Sequence, residues 1–211
     1  SINAGHTLVH DGKEIKLRIV PCAFVNASTR LLVGAGALYS VESLMREIEM
    51  TGARGRIGVD FNSGIILPDH IQKERSDEFL MKKVGFTGSG VGAATLDRVN
   101  RQLRLAKDFD DLKPFLTDVE REVHDAIKKG EKVLLEGTQG LYLSLFHGNP
   151  PYVTSRDVSA SAVCSEVGIG PKDVDEVIVV FKSYVTRVGG GPLDGELSEE
   201  EAARRGWLEI A

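Results

Sequence analysis

The chain has 211 residues, is 42% hydrophobic and 27% charged, and carries a formal net charge of -5. That composition suffices for one sizeable core, and the acidic balance leaves no basic field for a nucleic-acid partner. No apolar run reaches the length of a membrane span and no secretory leader opens the sequence, so a cytoplasmic protein with no membrane partner is expected.

Asn3-Ala4-Gly5-His6 is a small-residue loop with no strand before it, and such a loop ordinarily needs one to hold it, so the chain is expected to begin inside a larger unit. Residues 7–10 and 13–20 alternate around Asp11-Gly12, which predicts a hairpin. Residues 31–34 read as a short strand. Ser40 caps a helix with Val41, Leu44, Met45 and Ile48 on one face and Gly52 as its stop. Strands are predicted at 56–60 and 65–67, the second closed by Pro68. Residues 69–83 look helical, with Ile71, Phe79 and Leu80 as anchors and the charges as a solvated face. The glycine-rich loop 85–92 then opens a helix over 93–105, whose free N–H groups could hold an anion.

Thr117-Asp118-Val119-Glu120 reads as a capping box for a helix with a Val119, Val123, Ile127 stripe, ended by Gly130. Residues 133–135 follow as a buried strand, then a short helix over 159–167 stopping at Gly168. Residues 177–181 are continuously apolar and predict a central strand buried on both faces. A turn at 189–192 precedes a last helix boxed at Ser198 and ended by Gly206. Helices alternating with strands imply a single α/β domain over residues 1–211, with a mainly parallel central sheet flanked by helices. Cys22 and Cys164 lie far apart without metal-ligand spacing, and are expected as buried small residues rather than a disulfide or metal site.

The strand at 133–135 empties into Glu136-Gly137-Thr138-Gln139-Gly140, and in a parallel sheet such a turn faces the ligand crevice. Gln139 offers both a donor and an acceptor to a heterocycle edge or a phosphate. The continuation, EGTQGLYLSLFHGNPPYVTSRD, closely resembles the corresponding stretch of the adenylosuccinate synthetase family, especially its short archaeal form. Asn3-Ala4-Gly5-His6-Thr7, Thr87-Gly88-Ser89-Gly90, Val167 to Pro171 and Thr186 to Pro192 resemble the same family in the same order, so the resemblance covers essentially the whole chain.

That resemblance implies a P-loop-NTPase-like synthetase fold and a ligase that couples GTP hydrolysis, with Mg2+, to joining IMP and L-aspartate through 6-phosphoryl-IMP. His6 matches the family's catalytic proton donor, Gly5 a backbone-carbonyl ligand of magnesium, and Gly5, His6 and Thr7 the GTP contacts. Asn3, Thr87, Gln139 and Thr154 match IMP contacts, with Thr87 on the phosphate. Val188 matches a contact near the ribose or is plain core. Arg101 matches an arginine that reaches the IMP phosphate of a partner subunit, implying a homodimer, or is a solvated helix residue. Lys182 and Arg187 receive no catalytic role.

The family also carries a glycine-rich phosphate loop before the first motif, whose aspartate is base and metal ligand, and aspartate- and guanine-binding loops further downstream. None of these is in the 211 residues, so the chain is expected to be an internal portion, incomplete at both ends and inactive alone. Phe86 and Ser89 stand where bacterial forms often differ. Two other readings fit the same motifs: a phage-type relative that joins aspartate to dGMP, and a non-catalytic nucleotide-binding module.

Overall fold

In the computed structural model, residues 3–85, 87–181, 183 and 185–206 are described. Phe86 and Lys182 lie outside them. The Asp-Gly hairpin forms as its sequence dictates: β1 (His6–His10) pairs antiparallel with β2 (Lys13–Leu17), from His6 opposite Leu17 to His10 opposite Lys13. Asp11 and Gly12 take φ of 50° and 74°, the left-handed pair that a tight hairpin turn requires. The hairpin drops Leu17 and then Val20 into the core.

Five short strands build the rest: β3 (Leu31–Val33), β4 (Leu38–Tyr39), β5 (Ile57–Asp60), β6 (Gly64–Ile65) and β7 (Leu116–Thr117). They pair in parallel, as a three-stranded sheet in the order β3-β5-β7 and a separate β4-β6 pair, so the class is α/β with parallel pairing predominant. Strand β5 is buried along its whole length, including Asp60 at its end, whose carboxylate accepts the Val119 N–H at 3.2 Å. Helix α1 (Val41–Thr51) runs between β4 and β5, with the Ser40 hydroxyl accepting from the Ser43 N–H and Gly52 closing it at φ 63°. Leu44 and Ile48 are fully buried, each contributing roughly 1.5–3 kcal/mol of apolar burial. Glu47 on the same face is buried too, and its carboxylate accepts the N–H groups of Arg18, Ile19 and Val20, each at 2.9 Å.

Helix α2 (Pro68–Ser76) departs from the sequence reading in three ways. Pro68 opens the helix rather than closing a strand, because its missing N–H is harmless in a first turn. The helix stops at Ser76 and a separate π-helical turn covers Phe79–Val84, with Phe79 exposed. Its charges are not all solvated, since His70 and Glu74 are buried.

Helix α3 (Val91–Val99) is shorter than the predicted 93–105: Arg101 takes φ 63°, and the chain turns back so that the Ile65 N–H reaches the Arg104 carbonyl at 3.0 Å. Helix α4 (Val119–Lys128) is capped by Asp118, whose Oδ1 accepts from the Arg121 N–H at 2.9 Å; Thr117 instead ends β7. In helix α5 (Ala160–Val167) Ser159 is the cap rather than the first helical residue, while α6 (Glu199–Arg204) is capped by Ser198 as expected.

Two predicted strands do not form. Residues 133–135 and 177–181 have no ladder partner among the described residues, and Leu134 is 78% and Phe181 85% exposed. Apolar character predicts a strand only where a neighbouring strand supplies the hydrogen bonds and a layer covers the face. Among the described residues no helix is long and apolar enough to cross a membrane.

Candidate functional site

His6 opens β1, and its ring is held from both sides. Nε2 lies 2.9 Å from the Val20 carbonyl, which can only accept, so that nitrogen carries a proton. Nδ1 therefore faces the Glu136 carboxylate, 3.5 Å from Oε1. The other carboxylate oxygen accepts the Cys22 N–H at 3.2 Å. Burial, then the Glu136 charge and its hydrogen bond, push the Cys22 thiol up to about 11. One ligand atom each from His6, Cys22 and Glu136 lie within 4.8 Å of one another. Contrary to the sequence reading, Cys22 is only half-buried and has a histidine beside it, because the hairpin and the 136 turn bring together what sequence spacing keeps apart; Cys164 is buried as expected.

Asn3, three residues before His6, meets the glycine loop. The Thr87 hydroxyl donates to Asn3 Oδ1 at 3.0 Å, and Ser89 donates to the same oxygen. Contrary to the sequence reading, the N-terminus of α3 is not free for an outside anion: the buried Glu74 carboxylate accepts the N–H groups of Gly90, Gly92 and Ala93. Thr87 and Ser89 stand just outside that internal anion.

The 136–143 turn carries Gln139 at φ 68°, and its Oε1 is buried without a hydrogen-bond partner. Thr154 Oγ1 is in the same condition. The two segments are tied, since the Leu143 N–H reaches the Gly140 carbonyl and the Thr154 N–H reaches the Leu143 carbonyl, both at 2.8 Å. Asp157 closes this loop on itself. Hydroxyls of Ser159 and Ser144 and backbone N–H groups hold its carboxyl down at about 2.

Further contacts join these loops to one another. Thr95 of α3 lies 3.3 Å from the Ser155 hydroxyl, and Arg187 donates to the Tyr152 and Gly190 carbonyls. The Gly190 N–H reaches the Val84 carbonyl at 2.8 Å; a Cβ on Gly85 would sit 2.6 Å from the Gly190 nitrogen, so only glycine fits there. Asn3 and Thr87 are thus in direct contact. Gln139 and Thr154 share one hydrogen-bonded loop, which Glu136 links to His6, and the stretch bearing Val188 packs against both the glycine loop and Tyr152.

Gly5 and Thr7 are exposed beside His6. A Cβ on Gly5 would meet nothing nearer than the Leu17 carbonyl at 3.7 Å, so packing within the chain does not demand glycine there. Val188 is 44% exposed rather than core. Arg101 stands apart from the rest, exposed at the far end of α3, roughly 15 Å along the helix from its start. A cavity of about 270 Å3 beside Asp60, Asp118 and Gly168, and an open groove of about 470 Å3 along α2, are lined by none of the residues assigned to catalysis, nucleotide or metal from sequence.

Glu136 and Glu74 were missed as site-building residues. The place of Glu136 at the head of the EGTQG turn was a usable signal; Glu74 and Cys22 gave none.

A family model described as adenylosuccinate synthetase matches residues 1–111 and 102–206. The adenylosuccinate synthetase of Methanococcus aeolicus is 52% identical over 210 residues, 98% of this chain and 62% of that protein. That of Thermococcus sibiricus is 51% identical with the same coverage. Among solved structures, fully ligated adenylosuccinate synthetase from Plasmodium falciparum superposes with a TM-score of 0.88 at 26% identity, over 96% of this chain and 58% of that one. Succinoaminodeoxyadenylate synthetase of cyanophage S-2L, bound to dGMP and dATP, gives 0.70 at 27% identity, over 82% and 51%. The chain therefore spans less than two thirds of the length of these curated relatives.

Proposed function

The chain belongs to the adenylosuccinate synthetase family, and from that membership we propose that the protein containing it is a cytoplasmic ligase that joins IMP and L-aspartate with GTP hydrolysis. The observation that carries this reading is the pair of buried, partnerless polar atoms, Gln139 Oε1 and Thr154 Oγ1, on one hydrogen-bonded loop. A buried polar atom left unpaired costs about 1–3 kcal/mol, which a bound nucleotide would recover.

In this reading Asn3, Thr87, Gln139, Thr154 and Val188 surround IMP, with Thr87 at its phosphate, while Gly5, His6 and Thr7 meet GTP. The 6-oxygen of IMP is a poor leaving group. Transfer of the γ-phosphoryl of GTP onto it gives GDP and 6-phosphoryl-IMP; the aspartate amine then attacks C6, the C6–O bond breaks and inorganic phosphate departs. His6 donates a proton or hydrogen bond to the transferring phosphoryl, for which its Nε2–H must turn from the Val20 carbonyl to the phosphoryl oxygen. The Gly5 carbonyl, a hard oxygen ligand with no side chain over it, fits Mg2+. When bound, Mg2+ neutralises phosphate charge.

Arg101, exposed beyond α3 in a left-handed conformation, is the residue that would cross to a second subunit of a homodimer. The closer superposition on the Plasmodium falciparum enzyme than on the phage protein favours IMP over dGMP as the acceptor. The test is product formation by the full-length protein. Adenylosuccinate should appear only with IMP, L-aspartate and GTP together, and His6→Asn should lower the rate by about 10²-fold or more. Turnover with dGMP in preference to IMP, or full activity in His6→Asn, would contradict the reading.

A further inference from the structure

We propose that His6, Cys22 and Glu136 form a binding site for a thiophilic divalent cation of the zinc class, distinct in its donor atoms from the Gly5 carbonyl proposed for Mg2+. The donor set is an imidazole nitrogen, a thiolate sulfur and a carboxylate oxygen, one atom from each within 4.8 Å of the others. Tetrahedral zinc with bonds of about 2.0–2.3 Å puts adjacent ligand atoms roughly 3.3–3.8 Å apart. The Nδ1 to Oε1 separation is already 3.5 Å, so the histidine and carboxylate stand at the edge length of such a tetrahedron.

The surroundings orient each donor. The Val20 carbonyl takes the Nε2 proton of His6 at 2.9 Å, which fixes the tautomer and leaves Nδ1 with its lone pair toward the cluster; metal-binding histidines are ordinarily held in this way. The Cys22 N–H occupies Glu136 Oε2 at 3.2 Å and leaves Oε1 for the cation. Coordination releases the Cys22 proton to solvent, because the thiolate is the ligand. Three protein ligands leave a fourth position open to water or to an oxygen of a neighbouring ligand. Hard Mg2+ does not select a thiolate, so the two cations sort by ligand softness. A cation here also occupies His6 Nδ1. Binding itself does not depend on the ligase reading.

The test uses the metal-free full-length protein and cobalt(II) as the probe. One equivalent should produce a thiolate-to-cobalt charge-transfer band in the near ultraviolet, which one equivalent of zinc(II) removes. Cys22→Ser should abolish the band, Glu136→Gln should weaken cobalt binding at least about tenfold, and Cys164→Ser should leave both unchanged. In the unmutated protein, zinc should slow alkylation of Cys22, read by mass spectrometry, at least tenfold. No thiolate band at one equivalent, a band that survives Cys22→Ser, or an alkylation rate indifferent to zinc would overturn the proposal, and the alkylation result stands even if a variant fails to fold. Absence of ligase turnover with these metal results intact would count against the ligase reading alone.

Discussion

Replacing Glu74 should destabilise the protein through backbone N–H groups of another helix. The carboxylate is 2% exposed and accepts from Gly90, Gly92 and Ala93 across the gap between α2 and α3. Gly90 and Ala93 are buried, whereas Gly92 is partly open and can regain a water. In Glu74→Ala the two buried N–H groups lose their partner at about 1–3 kcal/mol each, and an anion is lost from a helix N-terminus at about 0.5–2 kcal/mol. Allowing for water entering the gap, the expected loss is about 3–5 kcal/mol, a large share of a typical domain's stability of about 5–15 kcal/mol. Glu74→Gln keeps one acceptor but turns an NH2 group toward an N–H, so about 2 kcal/mol is expected. Urea unfolding with unchanged slope measures both. A Glu74→Gln protein within about 0.5 kcal/mol of wild type would refute the claim that this carboxylate, rather than an outside anion, satisfies the α3 N-terminus.

Gln139 combines a left-handed backbone with a partnerless buried oxygen, so Gln139→Gly should leave stability unchanged or raise it by up to about 1 kcal/mol while weakening IMP binding; calorimetry and thermal unfolding read the two effects, and a joint loss of both would contradict it. The Asp157 carboxyl is held at about 2 against an ordinary 3.8, so its contribution is present above about pH 4 and is lost as pH falls through 2. Hydrogen exchange in the 144–159 loop should rise over that window and should not change with pH there in Asp157→Asn. The Cys22 thiol, raised to about 11 from 9, contributes stability below about pH 9 that is lost as pH climbs toward 11. Alkylation of Cys22 should therefore be slow at pH 8 and accelerate toward pH 11, and Glu136→Gln should speed it at fixed pH by removing a neighbouring negative charge.

Local chemistry was legible wherever it acts within a few residues. The Asp11-Gly12 turn, the Ser40 and Ser198 caps and the stops at Gly52 and Gly168 all stand where sequence put them. What failed depends on distant partners. Residues 133–135 and 177–181 have strand composition but no ladder, and hydrophobicity alone cannot supply one. Glu74 read as part of a solvated face and Glu47 was not singled out, because nothing local reveals that backbone N–H groups from other segments converge on them. At the site, the Asn3–Thr87 contact and the Gln139–Thr154 loop followed only from the family resemblance, and Cys22 beside His6 and Glu136 followed from neither spacing nor resemblance.

The central claim is that loops far apart in sequence gather around one purine nucleoside monophosphate. A crystal structure of the full-length protein with IMP tests it most directly. The account predicts the phosphate in hydrogen-bond reach of Thr87 and the base edge against the Gln139 amide, with the Thr154 hydroxyl newly partnered. A nucleotide bound elsewhere, with Gln139 and Thr154 still buried and unpaired, would contradict it.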